Sequence, residues 1–312
     1  MKEKVLQVVA LSSYLDPILD KEFNVIKYWE LENKYEFLKK QGGEITGLVT
    51  AAPVGVEDIL FYLLPNLKVI SCRGVGLEKI NLELAKEKKV RVAGTFGVLS
   101  NCVADLAFGL LLDVARNIST ADRYIRQGKW KEKSYPLTTS VSNKKLGIVG
   151  LGEIGSIVAK RAQGFDMSVG YCSIHKKSHS NLEFFETVEE LAAWCDFLML
   201  TLSGNKKNTK LISKSVLKNL GPKGYLINVS RGTVVDEEIL TEFLVNKKIA
   251  GAALDVYENE PLVPAELLSL ENVVLTPHLG SSTEETRRKM ENLVFENIKS
   301  FYVTGDVLTP AN

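Results

Sequence analysis

Short runs rich in Val, Ile and Leu alternate with amphipathic helical patterns along nearly the whole chain of 312 residues. This alternation is typical of parallel sheets built from strand–helix–strand units. At roughly 150 residues per domain, the length suggests about two domains. A hydrophobic fraction of 45% with 25% charged residues is ordinary for a globular protein, so disorder is excluded as the main state.

The strand-like runs fall into two series, which a helical stretch separates. The first series covers residues 5–9, 47–49, 69–71 and 91–93. The second covers residues 145–149, 167–171, 197–200, 224–229, 249–254 and 273–275. Six regularly spaced strands predict a doubly wound sheet. Residues 101–127 contain no Pro and a single Gly, so they predict one long helix, and a further helical pattern covers 282–303.

Charge and cysteine content exclude several classes of function. The net charge of +1 comes from 39 basic and 38 acidic residues that are interspersed along the chain, which argues against nucleic acid as a partner. The four cysteines form no CxxC pair, so we expect no metal site and interpret them as core thiols of a cytoplasmic protein. The apolar run at residues 5–11 is too short to span a membrane, and we expect no membrane association.

A glycine-rich turn is the clearest binding motif. The strand pattern at 145–149 leads directly into Gly150-Leu-Gly152-Glu-Ile-Gly155, and a helical pattern follows at 156–163. In such a turn the first Gly permits a tight bend, the second allows the backbone to approach a pyrophosphate, and the third allows close packing of helix on strand. The helix N-terminus then faces the anion. The motif in this context predicts dinucleotide binding.

The end of the next strand indicates which nicotinamide cofactor fits. An acidic residue about 20 positions beyond the turn binds the ribose hydroxyls of NAD. Here Ser173 stands near that position, followed by His175, Lys176 and Lys177, and His179 lies in the same loop. A hydroxyl followed by cations suits a 2′-phosphate, which a carboxylate would repel. We therefore predict NADP(H) as the preferred cofactor and leave NAD(H) open.

Three later strand ends carry reactive side chains. His278 follows the strand at 273–275, and Arg231 follows the strand at 224–229. Ligands of open α/β sheets bind at the carboxyl ends of strands, and a guanidinium is a natural partner for a substrate carboxylate. Asp255 also stands at a strand end, with Glu258 and Glu260 just beyond it. A carboxylate beside a histidine stabilises the imidazolium, which can then protonate a carbonyl oxygen as hydride arrives.

At these motifs the sequence resembles the D-isomer-specific 2-hydroxyacid dehydrogenases, and the likeness covers nearly the whole chain. It is most specific at residues 150–155, 228–232, 251–261 and 276–280. Within the family the chain is most similar to glyoxylate/hydroxypyruvate reductases and plant-type hydroxyphenylpyruvate reductases. The resemblance implies an α/β protein of two Rossmann-like or flavodoxin-like domains with doubly wound parallel sheets and an interdomain cleft. It implies a discontinuous substrate-binding domain, residues 1–98 and 284–312, and an NAD(P)-binding Rossmann domain, residues 99–283.

The resemblance also implies roles for individual residues. Arg231 binds substrate, Glu260 tunes the histidine, and His278 donates the proton and contacts substrate. The family's glutamate directly precedes a proline, here Pro261, which favours Glu260 over Glu258. Backbone N–H groups of Val75 and Gly76 would hold the substrate carboxylate. Cofactor contacts are implied at Gly150, Leu151, Gly152, Glu153, Ile154, Gly155, Ser173, Ile174, His175, Lys176, Val229 and Asp255.

Together these inferences predict a reductase that converts a small 2-oxo acid, such as hydroxypyruvate or glyoxylate, into its D-2-hydroxy acid with hydride from NADPH. A reductase of aromatic 2-oxo acids such as hydroxyphenylpyruvate is the alternative enzyme. A dinucleotide-sensing protein similar to transcriptional corepressors of this fold is the alternative from another class. A homodimer is implied by the resemblance, with the long helix after Ser100 as a candidate contact. The physiological oxo acid, the direction of reaction and the strength of the NADP preference stay open.

Overall fold

The computed structural model describes residues 2–178, 180–204 and 206–312, with the backbone alone at position 206. The chain forms two compact units, one from Met1–Leu99 with Thr283–Asn312 and one from Ser100–Ser282. Each unit is built around a parallel sheet, and this confirms the predicted α/β class with two parallel sheets.

The first unit contains a five-stranded sheet. Its strands are β1 (Lys4–Gln7), β2 (Asn24–Lys27), β3 (Ile45–Ala51), β4 (Val69–Arg73) and β5 (Arg91–Ala93). Their order is β2-β1-β3-β4-β5, the flavodoxin-like arrangement. The helices of this segment are α1 (Leu15–Glu22), α2 (Lys34–Gln41), α3 (Asp58–Leu63) and α4 (Leu82–Glu87). Leu48 and Val49 follow each other on β3 and are both fully buried, so apolar layers cover both faces of the sheet.

The second unit contains a seven-stranded parallel sheet. Its helices are α5 (Ser100–Arg116), α6 (Ile118–Arg126), α7 (Glu153–Ala162), α8 (Val188–Trp194), α9 (Lys214–Leu220), α10 (Glu237–Val245) and α11 (Ala265–Leu268). Its strands are β6 (Lys145–Val149), β7 (Ser168–Cys172), β8 (Glu183–Phe184), β9 (Phe197–Leu200), β10 (Tyr225–Asn228), β11 (Gly251–Leu254) and β12 (Val273–Leu275). The strand order is β12-β11-β10-β9-β6-β7-β8. Successive strands are added outward on one side of β6 and then, from β9 on, outward on the other side, and doubly wound sheets bind ligands at such a switch point.

The last helix, α12 (Glu284–Thr304), belongs to the first unit. Its N-terminus is capped by Thr283 Oγ1, which accepts the Thr286 N–H at 3.3 Å, and it ends at Gly305 in a left-handed conformation. Val294 and Ile298 are fully buried against the first sheet. The Ser71 hydroxyl of β4 donates to the Val294 carbonyl at 3.1 Å, which anchors α12 on this strand.

The prediction of one long helix over 101–127 is wrong. The helix ends at Arg116, and Asn117 adopts a left-handed conformation with φ 52° before α6 begins. Asn tolerates this conformation better than most residues because its short side chain is polar. The Asp113 carboxylate accepts the Ser119 N–H at 2.8 Å and thereby stabilises the break. Neither Gly nor Pro marks the position.

Two strands were absent from the sequence prediction. The β2 strand, Asn-Val-Ile-Lys, lies at the sheet edge with none of its residues fully buried, so it lacks the apolar pattern of a central strand. The β8 strand has only two residues and pairs with the end of β7. Short edge strands of this kind leave too little periodic pattern to detect.

Candidate active site

The glycine turn lies at the carboxyl end of β6, directly before α7. Gly150 has φ 97°, which favours glycine, and a Cβ at Gly155 would lie 2.2 Å from the Gly150 carbonyl oxygen. A side chain at Gly155 would therefore push the helix away from the strand. A Cβ at Gly152 would meet nothing within 4 Å, so open space borders the backbone there.

The N-terminus of α7 has no side-chain cap. Gly152 occupies the N-cap position and supplies no side-chain cap, so the first N–H groups of this ten-residue helix lack a side-chain acceptor from that residue. Leu151 is buried, whereas Glu153 is exposed and Ile154 half-buried. A tight glycine turn followed by an uncapped helix N-terminus is a suitable cradle for the pyrophosphate of a dinucleotide.

The loop after β7 presents the predicted ribose-side residues to solvent. Ile174, His175 and Lys176 are exposed, and the Ser173 hydroxyl donates to the His175 carbonyl at 2.7 Å. The Lys177 N–H donates to the Tyr171 hydroxyl at 2.9 Å, which ties the loop to its strand. His179 lies outside the described residues. No acidic residue occurs in the sequence between Cys172 and Glu183.

Three adjacent strands end beside each other and carry the polar cluster. Arg231 follows β10, Asp255 and Glu260 follow β11, and His278 follows β12. Because β10, β11 and β12 are neighbours in the parallel sheet, their carboxyl ends share one edge. The structure thus brings together, within the second unit, Arg231, Glu260 and His278, the three residues to which the sequence assigned chemistry.

His278 and Glu260 form a direct contact. His278 Nδ1 lies 2.8 Å from Glu260 Oε2, while Glu260 Oε1 accepts the Tyr257 N–H at 3.2 Å. Burial raises the pKa of the Glu260 carboxyl, but the His278 imidazole, the Tyr257 N–H and the Arg231 charge outweigh it, so the pKa lies below its ordinary value. The carboxylate is thereby kept ionised against the ring. Glu258 makes no such contact with the ring, so the geometry selects Glu260.

Asp255 holds the turn that carries His278. The turn is unusual because His278 has φ 52°, which is rare for a residue with a side chain. The buried Asp255 carboxylate accepts hydrogen bonds from the Thr276 hydroxyl at 2.6 Å, the Leu279 N–H at 2.7 Å and the Gly280 N–H at 2.9 Å. These contacts support the strained backbone and fix the direction of the imidazole.

The backbone around Arg231 is fixed by its neighbours. The Asn228 side chain donates to the Arg231 carbonyl at 3.0 Å and accepts the Ser230 N–H at 3.0 Å. The Arg231 guanidinium donates to the Ser230 carbonyl at 2.7 Å and is half-buried. Val229, a predicted cofactor contact, is buried directly before this turn. The guanidinium is therefore held at the strand end by its own segment.

Val75 and Gly76, the predicted carboxylate-binding residues, lie in the first unit just after β4. The Gly74 N–H donates to Thr95 Oγ1 at 3.0 Å, which fixes the start of this loop. Gly76 is buried and Val75 half-buried.

Tyr257 is a residue of this site that the sequence reasoning missed. Its hydroxyl lies 3.1 Å from the Leu254 carbonyl and 3.0 Å from the Thr276 carbonyl, so it bridges the ends of β11 and β12. Burial raises the pKa of Tyr257 to about 12, and the nearby carboxylates add to the shift. A single Tyr between two acidic residues carries no sequence signal for such a bridge.

The arrangement provides an acid, a carboxylate that stabilises it, and a guanidinium at one sheet edge. This set can orient an anionic carbonyl compound and deliver a proton to its oxygen. Among the described residues, no group of three or more His, Cys, Asp or Glu side chains is arranged to hold a metal ion. Every helix in the described part of the chain is too short or too polar to cross a membrane.

Comparisons with known proteins show similarity to a family of dehydrogenases and to individual reductases. The sequence profile of the D-isomer-specific 2-hydroxyacid dehydrogenase NAD-binding domain matches residues 108–280. Hydroxyphenylpyruvate reductase of Plectranthus scutellarioides is 43% identical over 306 residues, with 98% of each chain covered. Glyoxylate/hydroxypyruvate reductase A of Arabidopsis thaliana is 42% identical over 306 residues, again with 98% of each chain covered.

A solved structure shows the same fold. The NADPH-dependent glyoxylate/hydroxypyruvate reductase of Sinorhizobium meliloti, in complex with NADP and malonate, has a TM-score of 0.92 to this chain at 32% identity. The match covers 100% of this chain and 97% of that one. These similarities confirm the resemblance found in the sequence motifs.

Proposed function

This chain belongs to the D-isomer-specific 2-hydroxyacid dehydrogenase family, and we propose that with NADPH it reduces hydroxypyruvate to the D-2-hydroxy acid, or glyoxylate to the achiral 2-hydroxy acid glycolate. The contact between His278 Nδ1 and Glu260 Oε2 at 2.8 Å is the observation that carries the proposal. It leaves the other ring nitrogen, Nε2, to donate a proton, which is what reduction of the carbonyl group of a 2-oxo acid requires.

Each residue of the polar cluster has one task in this reaction. Arg231 pairs with the carboxylate and the adjacent carbonyl oxygen of the oxo acid, and so orients it. His278 transfers the Nε2 proton to that oxygen, and Glu260 stabilises the imidazolium that precedes the transfer. The Gly150–Gly155 turn would hold the nicotinamide dinucleotide, which would supply the hydride when bound. The backbone N–H groups of Val75 and Gly76 are proposed to bind the substrate carboxylate.

The preference for NADPH is proposed from the loop after β7. Ser173, His175 and Lys176 would surround a 2′-phosphate with a hydroxyl and two nitrogen donors. The absence of an acidic residue from positions 173–182 removes the partner that the ribose hydroxyls of NAD would need. The S. meliloti reductase, which has the same fold, was solved with NADP. Asp255 and Val229 are proposed to face the nicotinamide half.

An aromatic 2-oxo acid such as hydroxyphenylpyruvate is a second candidate substrate. The observation in its favour is the 43% identity to the Plectranthus scutellarioides hydroxyphenylpyruvate reductase, close to the 42% identity to the Arabidopsis enzyme. Both substrates need the same Arg231, Glu260 and His278 chemistry. The ratio of kcat/KM for the two oxo acids therefore separates these candidates.

A homodimer in the cytoplasm completes the proposal. The α6 helix has no buried residue, and its Ile118 and Ile125, seven positions apart on one face, are 54% and 57% exposed. Trp130, just beyond α6, is 65% exposed. These residues favour α6 as the dimer contact over α5, which is largely buried. All four cysteines lie in described segments and none forms a disulfide, in keeping with a reducing compartment.

The test is steady-state oxidation of NADPH and of NADH with glyoxylate, hydroxypyruvate, pyruvate and hydroxyphenylpyruvate. The proposal expects turnover of hydroxypyruvate or glyoxylate, with a higher kcat/KM for NADPH than for NADH. A preference for hydroxyphenylpyruvate would replace the proposed substrate by the aromatic candidate. Absence of turnover with every oxo acid, from protein that binds NADPH, would overturn the enzymatic proposal in favour of a dinucleotide sensor.

A further inference from the structure

Glu237 lies outside the residues that carry the chemistry but contacts the turn that presents Glu260. It is the first residue of α10 and is only 9% exposed. Its Oε1 accepts the Glu258 N–H at 3.1 Å. A carboxyl group is costly to bury, so its place beside this peptide needs a reason.

The Glu258 peptide is held from a second side by close backbone packing. A Cβ at Gly232 would lie 1.8 Å from the Tyr257 carbonyl carbon and 2.3 Å from the Glu258 nitrogen. Only glycine allows this approach, which brings the residue after Arg231 against the turn of Glu260. The Tyr257–Glu258 peptide is thus fixed between Gly232 and the Glu237 carboxylate.

This peptide lies in the chain between the Tyr257 N–H and Glu260, two groups that are hydrogen-bonded to each other. The Tyr257 N–H donates to Glu260 Oε1, and Glu260 Oε2 faces His278. A rotation of the Tyr257–Glu258 peptide would move the segment that carries Glu260, draw its carboxylate away from the Tyr257 N–H, and free the glutamate to leave the ring. The orientation of Glu260 therefore depends on contacts made two residues earlier.

We propose that Glu237 is a positioning residue, whose carboxylate fixes the Glu258 peptide and thereby holds Glu260 against His278 Nδ1. The consequence for rate rests on the proposed function, whereas the consequence for the imidazole does not. A ring whose Nδ1–H donates to Glu260 keeps its proton on Nδ1 in the neutral form. Loss of Glu237 loosens that hydrogen bond and allows the Nε2–H tautomer.

The test compares three substitutions at Glu237 with a neighbour. Glu237→Met removes the hydrogen-bond acceptor but fills a similar volume, whereas Glu237→Ala removes the acceptor and most of the side-chain volume. Glu237→Gln keeps an amide oxygen that can accept the Glu258 N–H. Glu238→Ala is the control, because Glu238 is exposed on the same helical turn. Thermal unfolding identifies the variants that fold. If one of the Met and Ala variants fails to fold, the other gives the measurement.

Two readouts decide the matter. In [15N]histidine-labelled protein without ligand, long-range 1H–15N spectra show which ring nitrogen of His278 carries the proton, with His278→Gln used for assignment. We expect the Nδ1–H tautomer in the wild type, Glu237→Gln and Glu238→Ala, and a shift toward Nε2–H in Glu237→Met and Glu237→Ala. In the steady-state reductase assay, we expect kcat to fall about 10-fold in Glu237→Met and Glu237→Ala while KM stays nearly unchanged. In Glu237→Gln we expect kcat to stay near the wild-type value.

The proposal is overturned if Glu237→Met or Glu237→Ala keeps the wild-type tautomer, or if Glu237→Gln shifts the tautomer as much as they do. Because the tautomer is read without substrate, it decides the role of Glu237 even if no oxo acid is turned over. Failure of turnover in the wild type contradicts the proposed function alone.

Discussion

Asp255 Oδ1 accepts the Leu279 N–H at 2.7 Å, and this bond supports the left-handed backbone at His278. The turn that presents the imidazole is therefore stabilised by a buried carboxylate just beyond the end of the neighbouring strand β11. The contacts at this end of the sheet therefore determine how the histidine is oriented.

Replacing Asp255 by Asn should impair both stability and turnover. One carboxylate oxygen becomes an NH2 group, which cannot accept the Leu279 or Gly280 N–H. Because the site is buried, we expect a loss of about 1–3 kcal/mol in the free energy of unfolding, measured in urea. The fall in kcat should exceed that of Asp20→Asn, an exposed substitution in the first unit that serves as the control. Equal stability of the two variants would contradict the role of Asp255.

The contribution of Glu260 to stability should depend on pH. Its pKa in the folded protein lies below the ordinary value of 4.5, so its stabilisation is fully present above that value and is lost as pH falls through the folded pKa. Urea unfolding of the wild type and of Glu260→Gln should therefore differ more, in favour of the wild type, near neutral pH than at about pH 3. A difference that grows on acidification would show that Glu260 is not held in its ionised form.

The choice of cofactor should respond to charge at position 176. Lys176→Glu places a carboxylate where the proposed 2′-phosphate lies, so the ratio of kcat/KM for NADPH over NADH should fall by about 10- to 100-fold. Lys218→Glu, an exposed change on α9, is the control for net charge. An unchanged ratio in Lys176→Glu would remove this loop from cofactor selection.

Association of two chains should depend on α6. Ile125→Glu places a charge on the exposed apolar face of α6 and should convert a dimer into a monomer in sedimentation velocity. Val303→Glu is the matched control, since Val303 is 76% exposed on α12. If Ile125→Glu stays dimeric, or if the wild type is monomeric, α6 is not the contact.

Elements with strong local patterns were predictable from the sequence. The run Lys145–Val149 followed by the glycine turn and α7 is where apolar continuity, turn chemistry and helical periodicity agree. The break at Asn117 was not predictable in this way, because a left-handed Asn held by Asp113 leaves no Gly or Pro signal. The short edge strands β2 and β8 were not predicted for a related reason: they bury too little apolar surface to leave a detectable pattern in the sequence.

The candidate site was predictable in the residues assigned chemistry, but not in its geometry or in the residues that support it. His278, Arg231 and the acidic residues stood at strand ends in the sequence, and the family resemblance favoured Glu260 over Glu258. The contacts that hold them are tertiary: the Tyr257 hydroxyl reaches two strand ends, and Glu237 reaches a peptide 21 residues away. Such contacts depend on the order of strands in the sheet, which periodicity alone does not specify.

The most direct measurement is single-turnover oxidation of NADPH by hydroxypyruvate or glyoxylate in the wild type and in His278→Gln, with NADPH affinity determined by nucleotide fluorescence. If His278 donates the proton, the rate should fall by about 10²- to 10⁴-fold while the Kd for NADPH stays within about twofold. A His278→Gln variant that binds NADPH normally and reduces the oxo acid at the wild-type rate would contradict the account.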